Sequence, residues 1–118
     1  MRRPIIAGNW KCHLTSAESV QLVQALRRHL DGLEGVEVVI CPTFTSLASV
    51  KNALLGSSIN LGAQDLFWEP QGAFTGEVSA PMLVDSGCRY AIIGHSERRR
   101  FFGETDEMVH RKLQVALT

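Results

Sequence analysis

The chain has 118 residues, of which 45% are hydrophobic and 20% charged; this suits one globular unit with a modest core and argues against two domains. Twelve basic side chains balance twelve acidic ones, so no global field points to nucleic acid or to an anionic membrane. The opening Met-Arg-Arg-Pro imitates the start of a signal peptide, but only Ile5, Ile6 and Ala7 follow before Gly8-Asn9 interrupts the apolar run, so neither a targeting nor a membrane-spanning segment is expected.

Ile5–Ala7 reads as a first strand closed by Gly8, with Asn9-Trp10-Lys11 as its exit. Thr15-Ser16-Ala17-Glu18 has the spacing of a capping box, and Val20, Val23, Leu26 and Leu30 then recur at helical spacing up to a stop at Gly32. Val36–Cys41 is apolar at all but Glu37, the pattern of a strand covered on both faces, and Pro42 ends it. A threonine cap opens a second helix carrying Leu47, Val50 and Leu54 and stopping at Gly56. Ile59–Gln64 reads as a third strand.

The stretch 65–78 has no helical period but holds Phe67, Trp68 and Phe74 among Pro70, Gly72 and Gly76. A loop of this length in a compact domain usually has a function, and three aromatics suit a partner surface. A short helix follows, capped by Ser79 or Ala80, with Pro81 in its first turn and Gly87 as its stop. Tyr90-Ala91-Ile92-Ile93 reads as a fourth strand ending at Gly94, and Thr105-Asp106-Glu107 opens a last helix with Val109, Leu113, Ala116 and Leu117 along one face. Four doubly covered strands alternating with four helical segments predict a parallel α/β sheet with right-handed crossovers.

In such an array every strand's carboxyl end lies at one edge, so Asn9, Lys11, Gln64, His95 and Glu97 should converge there. Lys11 suits an anionic group or a developing oxyanion, and Asn9 can donate to the same oxygen. His95 precedes a turn able to open a short helix, whose N–H groups favour a neutral ring that donates to a carbonyl. Glu97 is placed to accept from Lys11 or to shuttle a proton, and its ordinary alternative partner is Arg98, Arg99 or Arg100. His13, His29 and His110 read as surface histidines. Cys12, Cys41 and Cys88 show neither CxxC nor Cys/His ligand spacing, so no disulfide framework or zinc site is suggested and a reducing cytoplasm is the simplest setting.

Taken together, Gly8-Asn9-Trp10-Lys11, Gly62-Ala63-Gln64-Asp65, Gly72-Ala73-Phe74-Thr75-Gly76-Glu77 and Gly94-His95-Ser96-Glu97-Arg98-Arg99 resemble the triosephosphate isomerase family, in that family's order and spacing over the whole chain. A neutral histidine at a helix start is a known property of that family. The resemblance implies four βα units of a (β/α)₈ TIM barrel, with parallel strands in order 1-2-3-4. It implies a cytoplasmic, cofactor-independent and metal-free isomerase acting on a triose phosphate in glycolysis and gluconeogenesis. Within it, His95 corresponds to the electrophile, Lys11 and Asn9 to substrate-binding residues, Glu97 to the lysine's partner and Ser96 to a residue holding the resting base. Gln64, Phe74, Thr75 and Gly76 correspond to the loop that builds the homodimer, with Cys12 at the same interface; His13 departs from the small polar residue expected there.

A full barrel of this type needs about 250 residues. The resemblance therefore implies an amino-terminal half without the general-base glutamate or the lid, and a 118-residue chain inactive by itself. Two rivals stand beside it: a half-barrel that works by association with itself or a separate carboxyl-terminal half, and a small doubly wound binding domain. The second rival requires a strand order with a switch point.

Overall fold

The computed structural model describes residues 2–118. Four strands, β1 (Ile5–Asn9), β2 (Glu37–Cys41), β3 (Asn60–Ala63) and β4 (Cys88–Ala91), form one parallel sheet in the order β1-β2-β3-β4. The α-helices are α1 (Ser16–Leu30), α2 (Leu47–Ala53), α3 (Ala80–Asp85), α4 (Ser96–Phe102) and α5 (Asp106–Ala116), and a 3₁₀ turn at Phe44–Ser46 leads into α2. The order is sequential, which is the half-barrel arrangement and excludes the switch point of a doubly wound sheet.

Each element has a local cause. At the start of α1 the Thr15 hydroxyl accepts from the Glu18 N–H at 3.3 Å while the Glu18 carboxylate accepts from the Thr15 N–H at 2.9 Å, completing the capping box. The covered side of the sheet packs Ile40 and Leu61 against Val23 of α1, Leu47 and Val50 of α2 and Leu83 of α3. On the opposite side, Gly62 is required by close approach: a Cβ there would meet Cys41 Sγ at 2.7 Å and Val39 Cγ1 at 3.0 Å.

The structure departs from the expected boundaries at several points. β1 runs two residues further, to Asn9, because its pairing with β2 continues through Asn9↔Cys41. β3 is shorter than the expected 59–64. β4 starts at Cys88 and ends at Ala91, since pairing slips from Leu61↔Cys88 to Gly62↔Tyr90 and leaves Arg89 as an extra residue. Thr43 does not cap its helix through its side chain; its hydroxyl lies 3.1 Å from that of Thr45 instead. Helical segments exceed the expected four, because Ser96–Phe102 forms α4 before the last helix begins.

Two burial expectations are overturned. β1 is not covered on both faces: Ile5 and Ile6 are 55% and 61% exposed, because β1 is an edge strand with a neighbour, β2, on one side only among the described residues. The face of α5 that meets the body is not the expected row, since Leu113 and Leu117 are exposed whereas Lys112 is 1% exposed. The reason is electrostatic. Lys112 Nζ reaches Asp65 Oδ1 at 2.8 Å and Glu104 Oε2 at 3.0 Å, and Arg98 Nε reaches Asp65 Oδ2 at 3.1 Å and Glu104 Oε2 at 2.8 Å.

This four-charge cluster is neutral overall, which is what makes burial of Lys112 tolerable. Burial works to raise the Glu104 carboxyl, but hydrogen bonds from Lys112 and Arg98 overcome it and hold the group below the ordinary carboxylate range. A depressed carboxyl contributes stability that is fully present above its unfolded pKa and is lost as pH falls through its folded value. We therefore expect stability to decline below about pH 4, the unfolded range, and less steeply in Glu104→Gln. Lys112→Met, which leaves two carboxylates sharing the single charge of Arg98, should cost about 3–5 kcal/mol in urea unfolding; a change near zero would show that the cluster is not a buried unit.

Candidate active site

The carboxyl ends of β1, β3 and β4 bring Asn9, Lys11, Gln64, His95 and Glu97 around one cavity of about 280 Å³, whose wall also includes Thr43, Asp65 and Arg98. The sheet order alone makes this possible, since residues up to 88 positions apart in sequence exit at the same edge.

Lys11 leaves β1 in an unusual backbone conformation, with φ 55°. Its N–H donates to Asn9 Oδ1 at 3.0 Å, and its carbonyl accepts from Gln64 Nε2 at 2.8 Å. The same nitrogen of Gln64 donates to the Cys41 carbonyl at 3.0 Å. The Lys11 ammonium lies 2.8 Å from Glu97 Oε1, and both side chains are about half exposed. Contact with Lys11 holds the Glu97 carboxyl below its ordinary range, against the burial that works to raise it.

His95 is the N-cap of α4, and its Nδ1 accepts from the Glu97 backbone N–H at 3.0 Å. An Nδ1 engaged as an acceptor carries no proton, so the neutral ring carries its hydrogen on Nε2. Gly94, directly before it, has φ 68°, and a Cβ there would approach Val109 Cγ2 to 3.0 Å; glycine serves both the left-handed turn and the fit against α5. The ring nitrogen that remains available is a donor, suited to a carbonyl or enediolate oxygen.

The carboxylates lining the cavity, Asp65 and Glu97, both face cations. The arginines after Glu97 are engaged elsewhere: Arg98 in the buried cluster, Arg99 with Asp106 at 2.8 Å, and Arg100 over the Phe101 ring. Ser96 opens α4 with an exposed side chain. Phe74, Thr75 and Gly76 are exposed in the loop before α3 and stand apart from the cavity, with Phe74 packed against Phe67 at 4.6 Å between ring centroids. Cys12 is exposed at the cavity rim, whereas burial pushes the Cys41 and Cys88 thiols up to about 11, which leaves both protonated at neutral pH. His13, His29 and His110 are exposed. No group of three metal-ligating side chains forms among the described residues, and no helix there is long and apolar enough to cross a membrane.

The sequence reading missed Asp65, Arg98, Glu104 and Lys112 as one cluster. Its members carry no spacing signal, because their contacts join segments up to 47 residues apart. A lysine in an amphipathic helix ordinarily reads as solvent-facing.

Comparison with known proteins bears on this site. The model of the family described as triosephosphate isomerase matches residues 4–118. The chain is 63% identical over 116 residues to the triosephosphate isomerase of Moorella thermoacetica, covering 98% of this chain and 46% of that relative. It is 58% identical over 117 residues to that of Geotalea uraniireducens, covering 99% and 47%. The crystal structure of triosephosphate isomerase from Bartonella henselae superposes with a TM-score of 0.91 at 39% identity, over 98% of this chain and 48% of that one. The chain thus spans about half the length of the curated relatives it matches.

The ion pair is open to a direct check. Lys11→Met should move the Glu97 carboxyl back toward the ordinary range near 4.3 in a side-chain carbon NMR titration. An unmoved titration would show that Lys11 does not set the charge of Glu97.

Proposed function

Because the chain belongs to the triosephosphate isomerase family, we propose that it supplies the amino-terminal half of an enzyme interconverting D-glyceraldehyde 3-phosphate and dihydroxyacetone phosphate through an enediolate. The observation that carries this reading is the His95 ring: its Nδ1 is occupied by the Glu97 N–H, which leaves Nε2–H to face the cavity chemistry. A neutral donor matches an enediolate oxygen better than an imidazolium would, since it stabilises the oxyanion without releasing a proton too readily.

In this reading Nε2–H of His95 polarises the substrate carbonyl. The Lys11 ammonium offsets the negative charge of the phosphate and of the developing enediolate, and Asn9 contributes a further donor. Glu97 holds Lys11 in place, and Ser96 holds the base at rest. Abstraction of the carbon-bound proton needs a free carboxylate, yet Asp65 and Glu97 are both ion-paired. The base is therefore supplied by a segment outside these 118 residues. No cofactor or metal enters this chemistry, and the site is cytoplasmic. The aromatic loop, with Phe74, Thr75 and Gly76, joins two such enzymes as a homodimer, with Gln64 and Cys12 close to the contact.

A second reading has its own support. Ile5 and Ile6 are exposed on an edge strand, and such an edge invites pairing. The 118-residue chain then acts as an association module that pairs with itself or with a separate carboxyl-terminal half.

Three measurements separate these readings. The chain alone should show no turnover above its His95→Gln variant; clear turnover would refute the need for an outside base. Joined to the remaining half of a relative's sequence, the chain should become active, and His95→Gln should then lower kcat by about 10²–10³-fold, the usual effect of losing one oxyanion donor. Sedimentation of the chain alone as a stable monomer would count against the association module.

A further inference from the structure

We propose that Gln64 is a positioning residue for Lys11: its amide, together with that of Asn9, clamps the Lys11 backbone in a left-handed conformation that delivers the ammonium to Glu97. The role follows from the contacts of Lys11. At φ 55° its Cβ crowds the following carbonyl, so the conformation costs free energy for any residue but glycine and persists only where surrounding contacts enforce it. The contacts are present on both sides of the residue. The Lys11 N–H is taken by Asn9 Oδ1 at 3.0 Å, and the Lys11 carbonyl by Gln64 Nε2 at 2.8 Å.

Gln64 does this from a distance of 53 residues in sequence. Its Nε2 has two protons and uses both, the second on the carbonyl of Cys41 at 3.0 Å. One amide group thus ties the exits of three adjacent strands, with Gln64 directly after β3, Cys41 ending β2 and Lys11 following β1. Neither a carboxylate nor a thioether of similar length offers two such donors at neutral pH.

Burial cannot do this work for the lysine. Its side chain is 52% exposed, and a long flexible cation in water samples many rotamers unless its base is aimed. With the backbone fixed, the side chain starts from a direction in which Glu97 lies within reach. Leu14 also has positive φ, at 74°, but has no contact with Gln64 among the side-chain hydrogen bonds, so it serves as an internal control. The functional weight of Lys11 rests on the isomerase reading, whereas the clamp rests on these contacts alone.

The test is NMR on the full chain. In Gln64→Met, the backbone shifts and the N–H to Hα coupling of Lys11 should move from left-handed toward extended values. The Glu97 carboxyl should titrate closer to its ordinary range, while the Leu14 shifts stay in place. Gln64→Glu, which keeps the length and loses the donors at neutral pH, should displace Lys11 in the same direction and provides the comparison if the methionine variant does not fold. Glycine adopts positive φ freely and stores no strain for the substitution to release, so Gln64→Met should lower the urea midpoint more in a Lys11→Gly background than with lysine present, where relaxation of Lys11 recovers part of the cost. Left-handed Lys11 shifts and an unchanged Glu97 titration in either folded variant would overturn the proposal, as would equal midpoint losses in the two backgrounds. None of these readouts depends on turnover, so a failed isomerase reading would leave them interpretable.

Discussion

Burial of Lys112 is the constraint on which the second half of this structure depends. An ammonium that is 1% exposed is prohibitively costly unless opposite charges surround it, and Asp65, Glu104 and Arg98 supply a neutral group of four. Those residues come from the exit of β3, from α4, from the turn after α4 and from α5. Moving any one of the four leaves the other three with an unbalanced buried charge, so the cluster ties α4 and α5 to the exit of β3. Charge does here what the exposed Leu113 and Leu117 do not.

The position of α4 matters because its first turn carries two of the candidate catalytic residues, His95 and Glu97. The Glu97 N–H fixes which nitrogen of His95 bears the proton, and the Glu97 side chain meets Lys11. Arg98, the next residue, anchors this turn in the buried cluster. The His95 side of the cavity is thus built from backbone direction and ion pairing, with little contribution from depth: the histidine, the lysine and the glutamate all remain partly exposed. Preorganised donors act most strongly where water is excluded. In the proposed enzyme, that exclusion has to come from elements beyond these residues, as does the base.

Strand ends do similar work on the opposite flank of the cavity. Gln64 and Asn9 spend their amide groups on the Lys11 backbone, so three strand exits are joined by hydrogen bonds that involve no helix. The cavity is therefore held from two directions, by a buried charge cluster behind α4 and by amide clamps between β1, β2 and β3. Its catalytic candidates belong to segments that these two devices fix relative to one another.

Much of this could be read from the residues themselves. The capping box at Thr15, the apolar run 38–41 of β2 and the glycine stops are local signals, because a cap, a strand and a turn are each decided by neighbours within a few positions. The alternation of strands and helices was enough to predict a parallel sheet, and a parallel sheet places Asn9, Lys11, Gln64, His95 and Glu97 at one edge. Other features were decided only in three dimensions. The slip at Arg89 depends on how β4 meets β3, and the left-handed turn at Lys11 depends on a glutamine 53 residues away. Burial of Lys112 reverses the ordinary preference of a lysine because two carboxylates and an arginine reach it from distant segments. Local propensity follows from sterics and short-range hydrogen bonds within a few residues; pairing register, buried charge and backbone strain depend on partners that adjoin only once the chain has folded.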